Sequence, residues 1–282
     1  MLKYLQLVFA LSIGSTAALA ETLPKADAIY TPVDMQQVLL GQLLFYDPIL
    51  SGNKSVACAT CHHPKHATSD GLSLGVGDGA HGLGPNRKID PNNLPEQRVP
   101  RHSPGLFNLG AVEFDTMFHD GRLEADPTRP SGIRTPLGRE MVQGFASVLS
   151  AQSMFPVLSP DEMAGHYNEN KVAQAVRRGF LTYDGGAWSI ISARVAAIPE
   201  YNKAFENING AGHKVTFTDI SDVIAEFIAF EWRADNSLFD RHLRENIALP
   251  EAAQAGMELF YGKANCSSCH SGQFQTDHEF HA

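Results

Sequence analysis

Two pentapeptides in this chain pair thiols with imidazole at one spacing: CATCH, with Cys58, Cys61 and His62, and CSSCH, with Cys266, Cys269 and His270. Together they use all four cysteines of the chain. A zinc ribbon sets its two C-x-x-C pairs about 15–20 residues apart. These lie about two hundred apart, and zinc gives no reason for a histidine after each second thiol. A disulfide or a thioredoxin-like pair needs no histidine there either, and no βαβ pattern surrounds the motifs. Covalent c-type haem accounts for all three residues. Two thiols one helical turn apart form thioethers to the vinyl groups, and the adjacent histidine reaches the iron from one face. The flanks repeat too, GQLLFY at 41–46 and GMELFY at 256–261, so one haem-binding unit occurs twice.

The rest of the chain must position those motifs. It has 282 residues, 43% hydrophobic and 19% charged, which suits one large or two ordinary globular domains. Lys3, an apolar run from Leu5 to Ile13 and a small-residue exit at Ala18 to Ala20 form a secretory signal over 1–20, cleaved after Ala20. No later segment has the apolar length of a membrane span, so an exported chain without an integral membrane segment is expected, periplasmic in a bacterium. The formal net charge of −9 argues against nucleic acid as a partner.

Apolar periodicity predicts helices over 34–46, 138–152, 170–182, 186–198, 218–233 and 250–262. Between 70 and 136, glycine, proline, asparagine and aspartate cluster so densely that no regular structure is expected. The fold class is therefore mostly α, with two cytochrome c-like haem domains over 21–175 and 176–282 that join near 165–185.

Beyond the motifs, the stretches GQLLFYDPILS, GVGDGAHG, PRHSPGLFNLG, FHDGR, TPLGREM and AGMELFYGKANCSSCHSGQFQTDHEFH carry a resemblance. The chain resembles the bacterial dihaem cytochrome c peroxidases and related dihaem enzymes that oxidise a partner protein. The resemblance implies an N-terminal haem where peroxide reacts and a C-terminal haem that takes electrons from a small donor, a cytochrome c or a cupredoxin. It makes His62 and His270 the proximal ligands and Cys58, Cys61, Cys266 and Cys269 the thioether anchors. His81 falls where relatives have a displaceable distal histidine on the first iron. Glu140 matches a distal glutamate that moves protons. Read by themselves, His81 is a loop histidine and Glu140 a dipole-favoured surface residue. Arg122 has the planar fork that suits a haem propionate, or an ordinary surface ion pair. His63 and His66 are expected to face solvent.

Departures from the family pattern sharpen the expectation. His119 stands where relatives carry a tryptophan between the haems. His102 replaces an asparagine that serves an inter-domain calcium, which puts calcium in doubt because it prefers oxygen. A distal glutamine is replaced near Arg129. The chain stops at Ala282, so the second domain reads as incomplete, with His278 and His281 as default ligands of the second iron. The expected function is a periplasmic dihaem peroxidase reducing hydrogen peroxide to water, with a homodimer left open. A dihaem electron carrier and an enzyme oxidising a partner protein are the alternatives.

Overall fold

The computed structural model describes residues 23–25 and 28–280; the expected signal segment and His281 lie outside them. The chain divides into two compact units, Ala28–Asp235 with Phe280, and Asn236–Glu279 with residues 23–25.

The first unit opens with α1, Met35–Tyr46, started by Asp34, whose carboxylate accepts from the backbone N–H groups of Gln36 (2.7 Å) and Gln37 (3.4 Å). The short helix α2, Cys58–Cys61, carries the first motif. Then come the β1 (Ala80–His81) and β2 (Lys88–Ile89) hairpin and the antiparallel sheet β3 (Thr116–Met117), β4 (Leu123–Ala125) and β5 (Ile133–Arg134). Five strands thus sit inside the stretch expected to lack regular structure. Each is only two or three residues long, too short for alternation to register in the sequence.

Helices α3 (Val148–Ser153), α4 (Lys171–Arg177), α5 (Ala187–Ala196), α6 (Pro199–Asn209) and α7 (Phe217–Glu231) complete the unit. The helix expected over 138–152 begins only at Val148, because Gly144 has φ +98° and Ser147 caps the later start. Helix α7 packs along α1, and Phe45, Phe227 and Trp232 meet with ring centroids 5.0–5.3 Å apart. Gly41 permits this approach, since a Cβ there would lie 1.8 Å from the Val223 carbonyl oxygen. Arg194 of α5 donates to the carbonyls of Ile49 (2.8 Å) and Ser51 (2.6 Å), just before the first motif. Segment 176–235 is therefore part of the first unit's packing, and the units part at Asp235–Asn236 rather than near 165–185.

In the second unit, Ser237 caps α8 (Leu238–Glu245) and α9 (Glu251–Phe260) leads to the 3₁₀ turn Cys266–Ser268. Among the described residues, no helix is long and apolar enough to cross a membrane.

Candidate haem sites

At the first motif, α2 holds Cys58 and Cys61 one turn apart, and the His62 backbone N–H donates to the Cys58 carbonyl at 2.9 Å. Thr60 Oγ1 accepts from the Ala57 N–H and starts the turn. The chain then folds back on the histidine. Ala67 (φ +51°) and Thr68 (φ +61°) are both left-handed, an uncommon state for a β-branched residue. The strain places the Thr68 carbonyl 2.9 Å from His62 Nδ1. A carbonyl only accepts, so Nδ1 carries the proton and Nε2 keeps its lone pair. Burial lowers the His62 pKa and keeps the ring neutral, the form that ligates a metal.

Burial also pushes Cys58 up to about 12 and Cys61 up to about 11. A redox-poised thiol needs the opposite shift, so the two are inert as a thioredoxin-like pair. All four cysteines are unpaired.

Charged groups gather around Cys61. Arg87, Asp70 and Glu162 each act on its thiol electrostatically. Arg87 donates from Nη2 to the carbonyls of Gly77 and Ala80, while its Nε and Nη1 are buried without a partner. Fully buried Asp70 accepts from the Leu72 N–H on Oδ1, and its Oδ2 has no partner. Glu162 lies in a π-helical turn, Pro160–Ala164, of the kind that recurs at functional sites. Burial raises its pKa to about 7, Arg122 opposes that shift and Asp161 adds to it. A carboxyl group half-protonated near neutral pH can give and take a proton.

The second motif repeats the imidazole arrangement without this surround. The His270 N–H donates to the Cys266 carbonyl (3.0 Å), and Nδ1 donates to the Gln275 carbonyl (3.1 Å). Tyr261 exchanges hydrogen bonds with the Gln275 side chain, and the Phe260 ring lies 6.2 Å from His270. Cys266, Cys269 and His270 are exposed.

Residues 35–248 match the family model described as di-haem cytochrome c peroxidase. The chain belongs to that family. It is 29% identical over 260 residues to the methylamine utilization protein MauG of Methylorubrum extorquens, covering 92% of this chain and 54% of that protein. It is 28% identical over 243 residues to the cytochrome c551 peroxidase of Pseudomonas aeruginosa, covering 86% of this chain and 52% of that one. The chain thus spans about half the length of these relatives. Among solved structures, a MauG-like protein associated with microbial copper homeostasis shares the fold at a TM-score of 0.58 and 22% identity, covering 98% of this chain and 61% of that one. The diheme peroxidase BthA from Burkholderia thailandensis does so at 0.53 and 19%, covering 89% and 53%.

Family membership implies haem cofactors, and the residues fit that group. Both histidines are locked as Nδ1–H tautomers with Nε2 left to ligate, each beside two thiols, and Arg87 keeps two buried donors that a carboxylate would satisfy.

The other expected site residues have the following settings. Glu140 is exposed on the 3₁₀ turn Gly138–Glu140, and the carboxyls that act on the Cys61 thiol are Asp70 and Glu162. His81 stands on the β1–β2 hairpin, 72% exposed, with Nε2 on Asp90 at 3.1 Å. Arg122 is paired with Asp120 at 3.4 Å, lies over the Phe118 ring and acts on Glu162. His119 is exposed. His102 spends Nδ1 on the Leu72 carbonyl (2.6 Å) and Nε2 on Ser69 (2.9 Å), and presents no oxygen to calcium. His278 has left-handed backbone at φ +58°. Arg87 and Glu162 escaped the sequence reading because burial, not local pattern, distinguishes them.

Proposed function

We propose that this chain carries two covalent c-type haems, one per compact unit, and serves an exported, periplasmic enzyme that reduces hydrogen peroxide to water. The observation that carries the reading is the asymmetry between the two motifs. The first is half-buried and has a proton-exchanging carboxyl and unpaired guanidinium donors around it. The second has the same imidazole lock in an exposed setting, suited to taking electrons from a small cytochrome c or cupredoxin.

The overall reaction is H2O2 with two electrons and two protons giving two water molecules. Haem bound at His62 and at His270 supplies the electron storage and the redox chemistry on peroxide. The chain's own residues do the rest. The Thr68 and Gln275 carbonyls fix the two ligand rings and raise their basicity. Glu162 gives a proton to the departing oxygen of peroxide and is reprotonated from solvent for each of the two protons consumed, the exchange its near-neutral pKa suits. Arg122 restrains that pKa by favouring the carboxylate. Arg87 holds a haem carboxylate through Nε and Nη1.

Peroxide turnover by the haem-loaded protein with a reduced donor tests the reading. Glu162→Gln should retain both haems by mass and lose turnover. Two haems that never react with peroxide would instead leave an electron carrier, and covalent change in a co-expressed partner protein would identify a protein-oxidising enzyme.

A further inference from the structure

The π-turn that carries Glu162 also carries Asp161, and two residues beyond its end lies a histidine with an unsatisfied ring nitrogen. The His166 side chain is only 10% exposed. Its Nε2 is 3.5 Å from Asp161 Oδ1, and its Nδ1 is 3.6 Å from Glu96 Oε2. Both separations fall just beyond a good hydrogen bond, and Nε2 is buried without a partner. Asp161 and His166 are 14% and 10% exposed, and Glu96 at the outer end is 49% exposed. A carboxyl, an imidazole and a carboxyl therefore run from solvent to the neighbour of Glu162.

We propose that Glu96, His166 and Asp161 form a proton path that recharges Glu162 from solvent. The inference rests on the reading of Glu162 as the proton-exchanging group. Imidazole suits the middle position because it takes a proton on one nitrogen and releases one from the other. Glu96 gives its proton to His166 Nδ1 and regains one from water. His166 Nε2 releases a proton to Asp161, which passes it to the Glu162 carboxylate. No electron moves, and the ring resets by exchanging tautomers. The contacts need to shorten by about 0.5 Å, an adjustment ordinary for catalytic hydrogen bonds that tighten only during reaction.

The surroundings hold this series in place. Gln97 donates to Asp161 Oδ2 at 2.5 Å and leaves Oδ1 toward the imidazole. The Tyr167 ring lies 6.3 Å from that of His166, with Arg177 of α4 on it at 5.9 Å. Arg122 and Asp161 are the charges that face Glu162. If His166 only filled space, an apolar residue would do so without burying an unpaired nitrogen.

The test uses the haem-loaded protein with His166→Gln, His166→Ala and Glu96→Gln. The first proton transfer to peroxide, drawn from the proton already on Glu162, should be unchanged. Sustained turnover should fall on the order of tenfold, with a raised solvent isotope effect, and added imidazole should rescue His166→Ala. A second readout needs no turnover. The infrared carboxyl band of Glu162, identified by its loss in Glu162→Gln, should shift more slowly after transfer to D2O in the His166 variants. Should the His166 variants fail to fold, Glu96→Gln changes a half-exposed group and carries the test. Folded variants with wild-type turnover, isotope effect and exchange rate would overturn the path. If Glu162→Gln alone proves harmless, the reading of Glu162 fails, while the infrared exchange still reports whether the path reaches it.

Discussion

At the scale of single residues, the first site is built from side chains held where they are individually uncomfortable. Thr68 is β-branched and left-handed, and its Oγ1 offsets part of that strain by accepting from the Leu106 N–H at 2.8 Å. Thr68→Ala leaves that buried N–H unpaired and should cost about 1–3 kcal/mol in denaturant unfolding, with both haems still attached. Glu162 illustrates the opposite exchange. Its folded pKa of about 7 lies above the ordinary glutamate value of 4.5, so between the two the native state holds a proton that the unfolded chain has lost. Its contribution is neutral below the unfolded value and becomes a growing destabilisation as pH rises through the folded one. Glu162→Gln should therefore stabilise the protein at pH 8 by up to about 3 kcal/mol, with no gain at pH 4, while turnover is lost. Melting curves at the two pH values check it; a gain equal at both would assign the effect to packing. The chain contains Glu-Met twice, at 140–141 and 162–163, and both methionines are buried. The resemblance pointed to the first pair. Only the fold, which seats Glu162 among Arg122, Asp161 and Cys61, distinguishes the second.

At the scale of elements, legibility follows length and capping. Helices α1, α5, α7 and α9 lie within two residues of the spans their apolar periodicity predicts. The helices α6 and α8 went unread although Pro199 and Ser237 mark their starts, because both are mostly polar with few apolar positions to count. The repeated GQLLFY and GMELFY look equivalent in sequence but differ in packing. Gly41 admits the α7 backbone, whereas among the described residues nothing lies within 4 Å of a Cβ at Gly256. Gly41→Ala should destabilise by about 1–3 kcal/mol or more, since two helices must move apart. Gly256→Ala should be neutral or stabilise by about 0.5–1 kcal/mol through helix propensity alone. Comparable losses at both positions would mean that the second glycine also meets a helix.

At the scale of the whole molecule, the two motifs share a ligand lock and differ in everything around it, which is the basis of the proposed division of labour between them. The sequence revealed the duplication because covalent haem attachment requires fixed residue types at fixed spacing. The difference between the copies stayed hidden because burial depends on chain distant in sequence: the first motif packs against α1 and feels Arg87, Asp70 and Glu162, and Cys266 and Cys269 remain exposed. The division predicts a separable defect. Cys266→Ala with Cys269→Ala should remove one covalent haem by mass and abolish turnover with a donor protein. The first haem, reduced chemically, should still react once with peroxide, because His62, Glu162 and Arg87 all belong to the first unit. Cys58→Ala with Cys61→Ala should give the reverse: a haem that accepts electrons from the donor and is inert to peroxide. If either variant lost both functions while keeping its one haem and its fold, electron entry and peroxide chemistry would not reside on different haems.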